Sequence, residues 1–557
     1  VVMLHRKSLF AAVVIVGLGV VSACEGPVGP EGPPGMTPEA GPPGPPGLPG
    51  EGGPQGPPGD PGDPAFRPLV LEPAGLVGIV RDAAGNLMDS GSVVLVPSAD
   101  VATSSAIDLD LGLTPAGAAA DVNDEPLEDR LDADTGAYAR ATVNATGEYR
   151  FVTLPTGDHF VVWVPDPSDT AHLPGGDYCR SAAASDSLVG SQLDIRISGV
   201  PSASATYVGS STCMTCHGRH RAMRTAHFAG LEVPGRRGNL QDTSDWPNFD
   251  RAAEAFEAGV VLYFYDCDGS ATGAAKCRVS DSPPAGVVSF EMAFGRDATR
   301  GRGAPGEYFV DIVNRLGAGS ARYDVSMTYG GARGAQYFFV RLPNADGSTS
   351  MYGLPLVSNE TGAVTFASPN DWPWRDDHSE RWYDHTGHTL RVPASTESFD
   401  NNCAGCHFTG FSLSGSAATG WRASAVAEPY GAFDYDDDGR LDEINIGCES
   451  CHGPGSDHVE SGLRRDRIVV PSLVTPEREV QICSSCHSRP QGLGGGAPDA
   501  PISSDGHMPR PGTRRADVFV AHTARPYAPA SAFYPSGHSR EHHQQTDPEH
   551  PGDGIAG

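Results

Sequence analysis

Apolar and polar positions alternate along this chain far more often than apolar ones recur at every third and fourth residue. Residues 75–81, 92–96, 149–154, 160–164 and 193–198 are short apolar or alternating runs bounded by Gly, Pro, Asn and Asp, a pattern that predicts strands. They place an all-β domain over 67–202, interrupted at about 100–137 by an acidic, Ala-rich insertion expected to be a surface loop. Further strand-like runs at 287–294, 308–313, 323–329 and 337–342 predict a β-rich insertion of about 260–360 within a unit spanning 203–490. Only residues 9–21 are continuously apolar, roughly 20 Å as a helix against a bilayer core of about 30 Å. Residues 491–557 are rich in Gly, Pro and His and show little periodicity.

Composition sharpens this outline. At about 150 residues per domain, 557 residues predict three or four folding units. The 69 Asp and Glu outnumber the 39 Lys and Arg, a net charge of -30, which argues against nucleic-acid binding and favours cationic or metallic partners. His5, Arg6 and Lys7 precede the 9–21 run and Val21-Ser22-Ala23-Cys24 follows it, the layout of an export signal. The last four residues resemble a bacterial lipobox. That resemblance implies a lipoprotein signal peptide over 1–24, lipidation of Cys24 and a lipid anchor at the outer (or inner) membrane, facing periplasm or cell surface. An ordinary cleaved signal is the alternative.

From Gly26 to Pro64 the chain reads as thirteen triplets, each led by glycine except the one led by Pro38. Only glycine fits at the axis of three wound polyproline-II chains, so residues 25–66 resemble collagen and form a stalk of about 100 Å if extended. A homotrimer and a single-chain spacer both satisfy the pattern. GLVGIVRDAAGNLMDSGSVVLV and GEYRFVTLPTGDHFVVWV, within 67–202, resemble carboxypeptidase-regulatory-like β sandwiches, and a sandwich is expected there. His159 and His172, with no cysteine motif nearby, read as turn or surface residues.

The chemistry lies in four CxxCH pentads: Cys213/Cys216/His217, Cys403/Cys406/His407, Cys448/Cys451/His452 and Cys483/Cys486/His487. Each is a c-type haem attachment motif, in which two thiols add to the vinyl groups and the histidine becomes the proximal iron ligand. Zinc or a disulfide would use CxxC but gives no reason for a histidine after every pair. Four covalently bound haem c groups are therefore expected.

These segments resemble multihaem c cytochromes related to the tetrahaem electron acceptor of hydroxylamine oxidoreductase. The likeness rests on YVGSSTCMTCHGRHRAMRTAHFAGL at 207–231, IGCESCHGPGSDHV at 446–459, NNCAGCHFTGF and QICSSCHSRP. It implies mostly bis-histidine haems in close pairs, with His227 and His458 as distal iron ligands. His378, His385, His388, His507 and His522 compete for the remaining distal positions. The predicted fold class is multidomain: a collagen-like polyproline-II stalk, an all-β sandwich, and a haem-organised, α plus irregular tetrahaem cytochrome c domain over 203–490 with an inserted β subdomain.

Two smaller signals remain. Cys267 and Cys277 enclose nine residues and are expected to form a disulfide, which leaves Cys179 over. Asp434, Asp436 and Asp438, then Gly439 and Asp442, have the spacing of a calcium loop, but position 12 is Asn445 instead of Glu; a solvated acidic turn is the competing reading.

The functional expectation is an exported, lipid-anchored electron carrier between redox proteins of a respiratory chain, with no catalytic residues of its own. The alternative is a multihaem oxidoreductase acting on a small nitrogen or sulfur compound at a five-coordinate haem. No CxxCK variant marks a catalytic haem, and 19 histidines suffice to fill every axial position.

Overall fold

The chain divides into two units, Val1–Pro68 and Leu69–Gly557. This computed structural model describes residues 75–98, 128, 131, 136, 138–179, 183–184, 190–218, 226–228, 230–234, 255–267, 277–301, 304–330, 336–358, 374–431, 434–487, 490–492, 502–503 and 505–522. The signal peptide with Cys24 and the collagen-like stalk lie outside the described residues. So does the C-terminal segment beyond His522. No described helix is long and apolar enough to cross a membrane.

Residues 75–200 form two four-stranded sheets. Strands β1 (Leu76–Asp82), β2 (Ser92–Pro97), β3 (Ala139–Thr142), β4 (Glu148–Phe151), β5 (Asp158–Val164), β6 (Ala183–Ala184), β7 (Ser191–Gln192) and β8 (Ile195–Ile197) divide between them. One sheet runs β4-β1-β7 with β8 also on β1, the other β3-β2-β5-β6. Leu76, Val80, Val93, Leu95, Tyr149, Val161, Trp163 and Ile195 pack together as their shared core, as a β sandwich requires. The runs SVVLV and FVVWV are unbroken because β2 and β5 are covered on both faces: Val94, Val96 and Val162 pack on Leu131 and Cys179 behind the sheet. The insertion at 100–137 is thus not wholly a surface loop, since Leu131 and Glu128 are buried.

The second β region is an antiparallel meander. Strand β9 (Leu231–Glu232) pairs with β14, and β10 (Val261–Tyr265), β11 (Arg278–Ser280), β12 (Val288–Arg296), β13 (Tyr308–Asn314), β14 (Ser320–Gly330), β15 (Gln336–Pro343), β16 (Thr349–Ser358) and β17 (Trp374–Asp376) follow in the order β11-β10-β12-β13-β14-β15-β16-β17. The sheet curls until its edge strands β11 and β17 pack together. Alternation feeds two cores. Val325, Phe338 and Tyr352 join the aromatic interior of the curl, while Met327, Phe339 and Met351 face Phe399, Ala404 and Phe408 around the second pentad.

The helical, haem-organised domain expected over 203–490 is not what the backbone forms. The described residues include six short helices: α1 (Ser210–His217), α2 (Phe399–Asn402), α3 (Cys448–His452), α4 (Ser456–Glu460), α5 (Pro476–His487) and α6 (Arg515–Val518). Breakers account for the brevity: Gly209 and Gly218 bound α1, and Gly447 and Gly453 bound α3. Strands and loops carry the rest.

The sandwich is docked on this region. Gly176 N donates to Leu473 O at 2.8 Å, Thr475 N to Pro174 O at 3.0 Å and Val470 N to Ser198 Oγ at 2.9 Å. Buried Glu128 accepts from Arg478 Nε at 2.9 Å and Thr475 Oγ1 at 2.7 Å, clamping the start of α5. Backbones approach so closely at Gly199 that a Cβ there would lie 2.0 Å from Asp466 O. Gly199→Ala is therefore expected to destabilise the protein by about 1–3 kcal/mol, read as a lowered thermal midpoint; an unchanged midpoint would contradict the docking.

Candidate haem-attachment site

Each pentad places Cys, Cys and His at i, i+3 and i+4. On a helical turn that spacing gathers the three side chains on one face, as two thioether bonds and an axial imidazole on one flat macrocycle require. The backbone is helical through Cys213–His217 in α1, through α3, and through Cys483–His487 at the end of α5. At the second pentad a 3₁₀ turn, Ala404–Cys406, does the same work, with His407 N and Phe408 N donating to Ala404 O at 3.0 and 2.9 Å. The local geometry fits the group.

The four pentads, far apart in sequence, converge. Cys213 is hydrogen-bonded to Cys448 and Cys486 to Cys406, and Cys451 lies within electrostatic reach of Cys483. Helix α1 packs on α3, α3 on α5, and α5 on the 404–406 turn, so the spatial order is first, third, fourth, second. The hydrogen bond from its neighbour, then burial, drives the Cys213 and Cys486 thiols far above the ordinary range.

Buried carboxylates hold the first and third pentads together. Glu449, inside the third, accepts from Val208 N at 3.0 Å, Gly209 N at 2.8 Å and Gly455 N at 2.7 Å. Glu443 takes Ser210 N at 3.1 Å and Glu428 takes Ser211 N at 2.7 Å, so with Glu449 three carboxyl groups accept the N–H groups at the amino end of α1. Ser210 Oγ in turn accepts Cys448 N at 2.9 Å. Thr409 Oγ1, just past the second pentad, accepts Gly447 N at 2.7 Å and donates to Asn445 O, also at 2.7 Å. Asp400, one turn before Cys403, is 1% exposed and collects Met351 N, Ala423 N and the Tyr435 hydroxyl; burial pushes it up to about 6. None of these supports is visible in sequence, because their partners stand far away along the chain.

The histidines separate into groups. His452 Nδ1 lies 2.8 Å from Val469 O, His458 Nδ1 2.7 Å from Arg464 O and His507 Nδ1 3.1 Å from Phe411 O. A carbonyl only accepts, so each Nδ1 carries the proton and each Nε2 holds the lone pair an iron would take. His507 also bridges to Ser412 beside the second pentad, which singles it out from the other late candidates. His227 is exposed and its carbonyl accepts Ile446 N at 2.9 Å, two residues before Cys448. His407 packs edge-on to Tyr329 at 4.8 Å. Elsewhere, His378 pairs with Glu380 at 2.9 Å and His385 with Ser379 at 3.1 Å, where the Cys267–Cys277 disulfide closes. His388 gives its carbonyl to Asn314 Nδ2. The side chains of His487 and His522 lie outside the described residues.

In the acidic loop, carboxylate oxygens of Asp434, Asp436 and Asp442 lie within 4.8 Å of one another. Asp438 is not among them; it pairs with Arg440 Nε at 2.8 Å. Asn445 is taken too, bonding Leu231 N and O at 2.9 Å through its side-chain amide. Burial, then Asp436, pushes Asp442 up to about 7.

Compared with known proteins, the chain matches no family model, no curated protein and no solved structure.

Glu443, pushed up to about 8 by burial, keeps its proton in the folded chain where the unfolded chain, at the ordinary 4.5, has lost it. The native state then binds more protons between those values, so stability falls as pH rises through that window. Glu443→Gln keeps an acceptor for Ser210 N and abolishes the titration. Its melting temperature is expected to drop less than that of the wild type between about pH 5 and about pH 8; equal slopes would contradict the assignment.

Proposed function

We propose that this chain is an exported tetrahaem c-type cytochrome that passes electrons between redox partners of a respiratory chain, anchored through a lipidated Cys24 and raised on the 25–66 stalk. The observation that carries the reading is the convergence of the four pentads into one connected row. Electron transfer needs cofactors close together and held rigidly, and sulfur contacts between neighbouring attachment sites supply the first condition. The carboxylate braces supply the second. Bound haem supplies one-electron chemistry; the chain's residues attach it, present Nε2 of His452, His458 and His507, and set its surroundings.

The row is unequal along its length. The second pentad is enclosed, with Ala404 buried and His407 between Tyr329 and Phe399. Cys216, Cys451 and Cys483 of the other three are exposed. Exchange with partners therefore belongs to the first, third and fourth haems. With 69 acidic residues on the chain, a cationic partner face is favoured. A calcium ion on Asp434, Asp436 and Asp442 would offset the burial and, after it, the charge crowding that raise Asp436 and Asp442.

Purified protein is expected to give four haems per chain by pyridine haemochrome, only low-spin ferric signals, and no spectral change with cyanide. A lower count would overturn the attachment reading, and a cyanide-sensitive high-spin haem would favour the oxidoreductase. Separately, millimolar calcium is expected to raise the melting temperature of the wild type but not of Asp436→Asn; equal responses would rule out the loop as a calcium site.

A further inference from the structure

Far from the pentads in sequence, the disulfide Cys267–Cys277 has company that a structural crosslink does not require. The two sulfurs and a ring nitrogen of His385 lie within 4.8 Å of one another, and all three residues are partly buried. Beneath them sits Asp376, 3% exposed, at the edge where β17 meets β11. Its Oδ1 accepts Ser379 N at 2.9 Å, and its Oδ2 accepts Ser379 Oγ at 2.7 Å and Cys277 N at 2.6 Å.

That chain of bonds fixes the tautomer of the histidine. Ser379 has one hydroxyl proton and gives it to Asp376, which as a carboxylate only accepts. Towards His385 Nε2, at 3.1 Å, the serine oxygen is therefore the acceptor and Nε2–H the donor. The lone pair is left on Nδ1. A carboxylate that holds an imidazole in one tautomer, here through a serine, is the outer support typical of metal-binding histidines. Ser379 Oγ is also 3.5 Å from Cys277 Sγ, so the same group orients a sulfur and the ring.

We propose that Cys267 and Cys277, once reduced, form with His385 a site for a thiophilic closed-shell cation, Zn²⁺ or Cu⁺. Two thiolates and an imidazole select such ions over calcium or magnesium and leave a fourth position for water. The step balances with a dithiol as reductant: the S–S bond takes two electrons and two protons, the dithiol becomes a disulfide, and metal binding then displaces the two thiol protons. Oxidation closes the site and reduction opens it. This inference is independent of the haem reading.

The test uses the full-length, haem-loaded protein. It is treated anaerobically with a phosphine reductant, incubated with or without zinc sulfate, alkylated with iodoacetamide and mapped by mass spectrometry. Cys267 and Cys277 are expected to be alkylated after reduction alone and protected when zinc is present, with about one additional zinc per chain relative to unreduced protein. His385→Ala is expected to lose the protection while keeping the wild-type haem spectrum. Failure of zinc to protect the pair in the wild type would overturn the proposal, and this arm needs no variant to fold. Undiminished protection in His385→Ala, or a pair that the phosphine cannot reduce in the folded protein, would overturn it as well.

Discussion

Buried carboxylates that gather hydrogen-bond donors from remote stretches of chain are the constraint on which the rest of the molecule depends. Glu449 ties 208–209 to 455, Asp400 ties 351 to 423, and Glu128 ties the sandwich to the start of α5. Burying a carboxylate costs several kcal/mol, and hydrogen bonds to a charged group contribute about 1.5–3 kcal/mol each, so each such residue holds its place only with nearly all its partners present. That demand makes the arrangement specific. It also explains how a region with no described helix longer than 12 residues holds the four pentads in a fixed row.

The two β bodies act on opposite parts of the row. The curled sheet lends one face to the second pentad, so the long excursion between the first and second sites returns as the wall that encloses the second. The sandwich grips 469–478, directly before the fourth. Neither is a spacer hung from the row. Enclosure of one site and exposure at the other three make the row unequal along its length.

Some of this is legible in the sequence. The run at 308–313 falls within β13, whose burial alternates with one face in a core, and 337–342 falls within β15, whose two faces feed different cores. Strand β16 escapes the pattern: Gly353 and Pro355 read as breakers, although Gly353 lies in register with Phe339 inside the strand. The pentads stand out in the sequence through spacing alone, yet their order in space does not, since the contacts that fix it join residues as far as 79 and 240 positions apart. The same blindness leaves His507 indistinguishable from His378 and His385 until Phe411 is seen beside it. Asn445, read as a defective calcium ligand, proves to be a strut to β9.

Electron paramagnetic resonance of the fully oxidised protein tests the row most directly. The account predicts spin-coupled signals from the first and third haems and from the second and fourth. Replacing Cys448 and Cys451 by alanine should then restore an isolated low-spin signal for the first haem and leave the other pair coupled. Four isolated signals, unaffected by that substitution, would contradict the arrangement.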